Sequence, residues 1–599
     1  MGLENLWNNP QKWQVFLKLL RLANGTLRVI STAIIFFVYV LDIGISDRVV
    51  WKSEPLILGI GLLIVGQNFL YRLFFIYKES SKSRLVLEIL LTILLHLAAL
   101  LQFEWINISS FSETLENSLT HLLIFLLFFI DLSRLSIGIN KLSIHPALIF
   151  ILSFLILIGV GTLLLKLPNA TTSGISWVDA MFTATSAVCV TGLIVVDTAT
   201  AFTPLGQTFI MVLFQIGGLG MMTFTSFFGF FFKGGQSLQS ELFLKDYINE
   251  DNIGQVGSTL VKIIVFTLGI EALAAIMIYF SLPEYLFSGM QDQFFFSVFH
   301  SISAFCNAGF STLSLGLYEE GFREQYNVHL ILAFSIILGG FGFPVIVAYF
   351  QVVKGLFNRW FNLITEKEHF FHHIPRLINV NTKLITYTTI ILLIVGFVTY
   401  WIFEQDHSLK GLSGYGKVVT AFFGSVTPRT AGFNTVDMRS MAIPTVLIYL
   451  ILMWIGASPG STGGGLKTST FAVAVLNAFS VAKGKDRVEV FKRQLDPDTV
   501  NKAFAVILLS FLVIGTGVFL VLWFNPELAI LDVAFEIFSA FSTVGLSLGI
   551  TGQLSVGSKI VVSVIMFLGR VGTLTVLVAF VKKARTLRYK YPREGVFIS

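Results

Sequence analysis

Charge is scarce in this sequence. Of its 599 residues only 13% are Asp, Glu, Lys or Arg, whereas a soluble domain carries about a quarter. So few solvated side chains cannot coat the several water-facing domains that the length alone would suggest. Cysteine is scarcer still. Cys189 and Cys306 are the two present, which excludes a disulfide framework. No metal-ligand cluster, no nucleotide fingerprint in a strand–helix setting and no nucleophile motif in polar surroundings occurs, so an enzyme is not expected. A cleavable signal peptide is not expected either. The opening MGLENLWNNPQKWQVFLKLL is polar and aromatic, with no short apolar core ahead of small residues.

What is abundant is apolar surface. Hydrophobic residues make up 55% of the chain and the mean hydropathy is +0.80. Many runs reach the roughly 20 residues that cross about 30 Å of hydrocarbon. Twelve spans are expected. Four precede residue 143, at 28–45, 55–77, 84–103 and 118–137, and eight follow in pairs. The pairs are 146–166 with 206–232, 259–281 with 328–350, 384–403 with 443–481, and 503–524 with 558–581, the sixth of the eight being broken. Positive charge gathers in 351–383, 482–502 and 582–599, which hold five, six and six Lys plus Arg, while 282–292 and 525–532 hold none. By the positive-inside rule the basic segments and both termini are cytoplasmic. Lys12, Lys18 and Arg21 inside, and Glu104, Glu113 and Glu116 outside, agree. The pI of about 9.1 therefore reflects topology, and nucleic acid is not implied.

The chain also repeats itself. Gly192, Gly309, Gly432 and Gly545 are spaced 117, 123 and 113 residues apart. Each has a phenylalanine ten positions upstream, at Phe182, Phe299, Phe422 and Phe535. Three have a serine six positions upstream, Ser186, Ser303 and Ser539, with Val426 in the third copy. A further glycine lies 24 to 30 residues downstream, at Gly217, Gly339, Gly456 and Gly569. The two cysteines stand three residues before the first two glycines, so repeat position explains them. One module written four times implies fourfold pseudo-symmetry.

Between the spans of each pair lies a stretch too apolar for an ordinary loop. In the first, SWVDAMFTATSAVCVTGLIVVD, Ser176 and Asp179 have capping-box spacing, and a helix of about three turns is expected to follow. It ends at Val190-Thr191-Gly192. The other copies end at Asn307-Ala308-Gly309, Thr430-Ala431-Gly432 and Thr543-Val544-Gly545. A helix that enters and returns as extended chain is a re-entrant loop, tolerated at membrane depth only where it is buried or lines water. Its carbonyls can replace an ion's hydration shell, and the helix C-terminus adds partial negative charge. Glycine supplies the backbone angles required.

The motifs TSAVCVTGL, FCNAGF, PRTAGFNT and STVGLS, followed by FQIGGLGMMTF, IILGGFGFP and MWIGASPGSTGGGLKTST, resemble those of the Trk/Ktr/HKT superfamily of potassium transporters over residues 144–585. The resemblance implies an all-α integral membrane protein with four pseudo-symmetric helix–pore-loop–helix repeats around a central pore, here with four extra N-terminal transmembrane helices. The divisions are an extension over 1–143, repeats over 144–235, 250–352, 380–482 and 500–585, and a cytoplasmic tail over 586–599. It implies potassium uptake across the plasma (bacterial inner) membrane, with K+ held at the carbonyls of the four filter triplets and no covalent cofactor. It also implies a homodimer on a separate cytosolic, nucleotide-binding regulatory ring. Gly192, at the position where serine accompanies sodium preference in the plant branch, favours potassium. A sodium-carrying or ion-coupled symporter is the alternative.

Two further features carry chemistry. Gly456, Ser458, Pro459, Gly460, Gly463, Gly464 and Gly465 crowd a span that is otherwise apolar, and such a density cannot continue a helix. It is either a packed kink or a mobile loop obstructing ions, the latter being the intramembrane gate of the resembling family. Arg570, inside MFLGRVGTLTV, is either a structural partner of a carboxylate or of helix carbonyls, or a fixed charge lining the path. The family carries a pore-lining arginine there. Lys467 serves likewise or snorkels to the cytoplasm. Arg429 is expected to sit behind the filter, paired with a carboxylate, in the same re-entrant unit as Lys417. Glu271 and Glu536 are expected to bond the pore architecture, with a proton relay as the alternative, and His300 to be a core residue. Asp197, Glu319, Glu320 and Asp437 either enrich cations at the mouth or are simply solvated. Segment 118–137 has only Arg134, three residues after Asp131, so no voltage sensor is expected.

Overall fold

The computed structural model describes residues 146–233, 256–364 and 378–580. The expected four-span extension over 1–143 and the tail over 586–599 lie outside the described residues. The described helices are α1 Pro146–Leu165, α2 Trp177–Val188, α3 Pro204–Lys233, α4 Val256–Ser281, α5 Met290–Cys306, α6 Tyr326–Phe341, α7 Phe343–Ile364, α8 Val380–Phe403, α9 Gly414–Val426, α10 Ile443–Trp454, α11 Thr468–Ala482, α12 Pro497–Phe524, α13 Ile530–Phe541, α14 Val556–Val571 and α15 Thr573–Phe580, besides single turns. They form four units, each a long first helix, a short pore helix (α2, α5, α9 or α13) and a second helix.

The units are joined by one rule. The second helix of each packs on the pore helix of the next: α3 on α5, α6 on α9, α10 on α13, and α14 back on α2. The last contact closes a ring. The ring core is phenylalanine-rich, with Phe150, Phe154, Phe182, Phe214, Phe299, Phe310, Phe423 and Phe433 fully buried. Outward faces are apolar too, as at Phe280, Leu508 and Trp523. Apolar residues on both faces are what a helix needs when its outer solvent is lipid. Lys262–Ser281, Val380–Phe403 and Pro497–Phe524 are long and apolar enough to cross a membrane unaided.

Second helices depart from expectation. One break was expected, between α10 and α11, and two more occur. The axis turns by 103° between α6 and α7 and by 87° between α14 and α15. Gly342 (φ +80°) and Gly572 (φ +88°) occupy the two corners, in a region that side chains rarely adopt. Pro344 follows the first corner and gives no N–H to continue the earlier helix. The corner at Gly342 also makes room. A Cβ there would stand 2.9 Å from Pro459 O, and Phe343 N donates to Gly460 O at 3.1 Å. Between α11 and α12 a small antiparallel hairpin pairs Glu489–Val490 with Arg493–Gln494, turning through Phe491 and Lys492 in the left-handed region.

Candidate ion-conduction site

Two of the four pore helices, α2 and α9, begin at a serine cap. Ser176 Oγ accepts from Asp179 N (3.1 Å) and donates to Asp179 Oδ2 (2.7 Å), capping α2 as its spacing implied. Ser413 caps α9 through Gly416 N. At the other end the chain makes the same excursion four times. Val190 (φ +56°), Asn307 (+60°), Thr430 (+72°) and Thr543 (+51°) are left-handed, and two residues later so are Gly192 (+88°), Gly309 (+71°), Gly432 (+80°) and Gly545 (+94°). Four non-glycine residues held at positive φ at one repeat position mark backbone that the surrounding packing dictates.

These four segments meet. A Cβ on Gly192 would overlap Ala308 O and stand 3.1 Å from Gly309 Cα. On Gly309 it would lie 2.8 Å from Ala431 O and 3.1 Å from Gly432 Cα. On Gly432 it would overlap Val544 O, and on Gly545 it would overlap Thr191 O, 3.0 Å from Gly192 Cα. Every glycine thus faces the carbonyl just before the glycine of the next repeat, and the fourth returns to the first. The upstream serines hold the turns. Ser186 and Ser539 accept from Gly192 N (3.1 Å) and Gly545 N (3.0 Å), while Ser303 donates to Phe310 O at 2.8 Å. The third repeat, with Val426 at that position, uses Thr427 one residue later, which donates to Phe433 O at 2.5 Å. The Asn307 side chain meets Thr430 Oγ1 at 2.9 Å. With its amide nitrogen on Ala304 O at 3.1 Å, its oxygen accepts from that hydroxyl.

The downstream glycines have a separate task. A Cβ on Gly217, Gly339 or Gly569 would overlap Val188 O, Phe305 O or Phe541 O, the carbonyl four residues before the ring glycine. Their absent side chains let the second helix lie against the end of its pore helix. Gly456 differs, since its Cβ would overlap Gly464 O, within the glycine-rich loop itself. That loop folds back on the ring. Ile455 and Leu466 form a parallel bridge at its neck. Gly464 N donates to Thr543 Oγ1 at 2.9 Å, Gly463 faces Thr430 Oγ1, and a Cβ on Gly465 would stand 3.0 Å from Ser542 Cβ. Ser458 N and Thr462 N donate to Gly340 O (3.1 Å) and Gly339 O (3.3 Å) at the end of α6. Thr462 Oγ1 donates to Phe305 O at 3.2 Å.

Three cations hold the loop. Arg570, 1% exposed, donates to Thr462 O and, at 2.6 Å, to Gly217 O. Lys467 Nζ donates to Gly463 O at 2.7 Å. Arg429 was expected to pair with a carboxylate. It donates instead to Gly456 O (3.0 Å) and Thr389 O (3.4 Å). Breaking the span between α10 and α11 frees carbonyls from helical bonding, and Gly456 O, Thr462 O and Gly463 O are among the acceptors that these cations find, while Thr389 O and Gly217 O lie within the continuous helices α8 and α3 and accept through their second lone pair.

The other charged candidates bond locally. Glu271 accepts from Gln215 Nε2 at 2.9 Å, and the Cys306 thiol lies 3.2 Å from Gln215 Oε1. Glu536 accepts from Ser547 (2.7 Å) and Thr551 (2.5 Å). The His300 ring contacts Phe296 O and Ser311 Oγ, both at 2.9 Å. Lys417 donates to Gln405 at 3.2 Å. Asp197 and Asp437 cap short turns through Ala199 N and Arg439 N, and Glu319 accepts from Leu315 N. Sequence reasoning missed Thr462, which follows Ser461 directly before the glycine run 463–465. It missed Lys559, whose 2.6 Å ion pair with Asp179 ties α14 to α2. It also missed Asn434 and Arg439, which reach Leu315 O and Leu548 O in the neighbouring repeats.

A family model described as TrkH, cation transport protein, matches residues 132–589. The Ktr system potassium uptake protein B of Bacillus subtilis is 37% identical over 455 residues, which is 76% of this chain and 96% of that one. The potassium/sodium uptake protein NtpJ of Enterococcus hirae is 35% identical over 467 residues, covering 76% and 97%. The crystal structure of the potassium transporter TrkH from Vibrio parahaemolyticus superposes with a TM-score of 0.58 at 16% identity, covering 88% of this chain and 97% of that chain, so the architecture is shared well beyond the sequence. The chain belongs to the TrkH family of cation transport proteins.

Proposed function

We propose that this membrane protein takes up potassium through the ring formed by Val190-Thr191-Gly192, Asn307-Ala308-Gly309, Thr430-Ala431-Gly432 and Thr543-Val544-Gly545. One observation carries the reading: each ring glycine abuts the carbonyl before the next, and the circuit closes from Gly545 to Gly192. Backbone oxygens fixed around one axis can replace the water of a monovalent cation without a charged side chain. The loop from Gly456 to Gly465, with Ser458, Pro459, Gly460, Gly463 and Gly464, is the gate. It lies against Thr430, Ser542 and Thr543 of two filter segments, where it obstructs an ion leaving the ring. Arg570 holds the loop and places a positive charge on the cytoplasmic side of the ring, lowering cation occupancy there. The repeats run over 144–235, 250–352, 380–482 and 500–585, after an accessory extension over 1–143. The chain works as a homodimer in the plasma membrane, with both termini cytoplasmic and a cytosolic nucleotide-binding ring as regulator.

Sodium as a second transported ion is the other reading, favoured by the relative named a potassium/sodium uptake protein. Proteoliposome flux at a fixed membrane potential, with potassium and sodium compared, decides between them. Potassium flux that exceeds sodium flux and dissipates with the potential supports a selective conductive path. Equal fluxes support the second reading, and potassium flux that requires a co-transported ion replaces the conductive path with ion-coupled symport.

A further inference from the structure

The third repeat breaks the packing rule of the other three. In repeats 1, 2 and 4 the second helix touches the end of its pore helix directly, through Gly217 on Val188 O, Gly339 on Phe305 O and Gly569 on Phe541 O. In repeat 3 the second helix has given way to the glycine-rich loop, and Gly456 packs on Gly464 instead. The residue three before the ring glycine changes in step. It is Cys189, Cys306 and Ser542 in the other repeats, all small, and Arg429 here. Arg429 is 7% exposed. Its guanidinium spans the space vacated by the helix, with one nitrogen on Gly456 O at 3.0 Å and the other on Thr389 O of α8 at 3.4 Å. Gly456 is the first loop residue after the bridge at Ile455, and Arg429 is bonded covalently to Thr430 of the ring.

We infer that Arg429 is a positioning residue that clamps the N-terminal hinge of the loop and joins it to the ring segment of the third repeat. Its guanidinium is engaged by the carbonyls of Gly456 and Thr389, neither of them a residue of the ring triplets. The planar fork matters, because a loop carbonyl and a helix carbonyl must be reached at once, and a lysine offers only a single point charge. The inference rests on the gate reading for its effect on flux, and on the hinge contact alone for its effect on the loop.

The test compares full-length Arg429→Gln and Arg429→Lys with wild type, each with and without deletion of Gly463 to Gly465. Two measurements are made: potassium flux in proteoliposomes, and amide hydrogen exchange in detergent. Arg429→Gln should raise basal flux roughly tenfold, as expected when a charge-assisted hydrogen bond holding one state is lost. Arg429→Lys should fall between. Exchange should quicken at residues 455–462 while α2 and α5 stay protected, and in the loop-deleted background Arg429→Gln should add nothing to flux. Unchanged flux and unchanged exchange at 455–462 in a folded Arg429→Gln protein overturn the clamp. Exchange that quickens equally in all four pore helices also overturns it, because the residue is then merely structural. If loop deletion itself leaves flux unchanged, the gate reading fails separately, and the hinge contact is judged by local exchange alone.

Discussion

Replacing Gly192 by serine tests the ring at one of its close approaches. Gly192 sits at φ +88°, and a Cβ there would overlap Ala308 O and lie 3.1 Å from Gly309 Cα and 3.2 Å from Gly309 C. Two costs follow. Left-handed backbone with a side chain costs about 1–2 kcal/mol, and the overlap must be relieved by moving a carbonyl of the next repeat. The first cost can be measured alone. Gly174 has nearly the same angle, φ +82°, with nothing within 4 Å of its Cβ position, so Gly174→Ser carries the backbone strain without the collision. Gly174→Ser should lose about 1–2 kcal/mol of stability in detergent, and Gly192→Ser should lose more, because the collision adds to the same strain. Only Gly192→Ser displaces a ring oxygen. If that displacement removes a further 1–2 kcal/mol from potassium binding relative to sodium, the permeability ratio falls roughly five- to thirtyfold. The assay is proteoliposome flux of both ions at one fixed potential. An unchanged ratio in folded Gly192→Ser, or an equal change in Gly174→Ser, refutes the assignment of the ring.

Much of this architecture is legible in the chain because the module is written four times. Any single glycine reads equally well as a turn, but four of them at matched distances from phenylalanine do not. The structure adds that the two glycines of each module act differently. The first admits the carbonyl of a neighbouring repeat, and the second, in repeats 1, 2 and 4, admits the carbonyl of its own pore helix, which spacing alone does not distinguish. The corners at Gly342 and Gly572 were hidden because apolar residues continue on both sides of them, although Pro344 is a signal that could have marked the first. Gly220 stands at the matching position of the first repeat inside the continuous helix α3, so glycine there permits a corner without requiring one. The partner of Arg429 was misjudged for a related reason. A buried cation suggests a carboxylate when every backbone carbonyl is assumed to be occupied, but the broken span leaves Gly456 O open and the helical carbonyl of Thr389 keeps a second lone pair. Thr427 doing the work of the missing serine at Val426 shows a hydroxyl shifted by one residue, which a fixed-offset comparison cannot find.

Deleting Gly463 to Gly465 removes the segment that faces Thr430, Ser542 and Thr543, so basal potassium flux should rise, and unchanged flux in a folded, inserted variant would make the segment a packed kink. Gly217→Ala places a methyl on Val188 O and should cost about 3 kcal/mol or more. Gly269→Ala, with nothing within 4 Å in the middle of α4, should gain up to about 1 kcal/mol of helix propensity. Thermal unfolding in detergent compares the two, and equal shifts would contradict the close approach of α3 to α2. Arg570 bears on both transport and stability, because one guanidinium joins Thr462 O in the loop to Gly217 O in the first repeat. Arg570→Ala removes both bonds, each of about 1.5–3 kcal/mol for a charged donor, partly offset because no charge need then be buried. Flux should rise as the loop is released, and stability should fall modestly. Arg570→Lys keeps the charge but cannot bridge both carbonyls, so it separates the two effects. Flux that is restored to the wild-type level by lysine makes the charge decisive, and flux that matches the alanine variant makes the bridge decisive. A marked loss of stability in Arg570→Ala with no change in transport would mean that the arginine only holds the fold together.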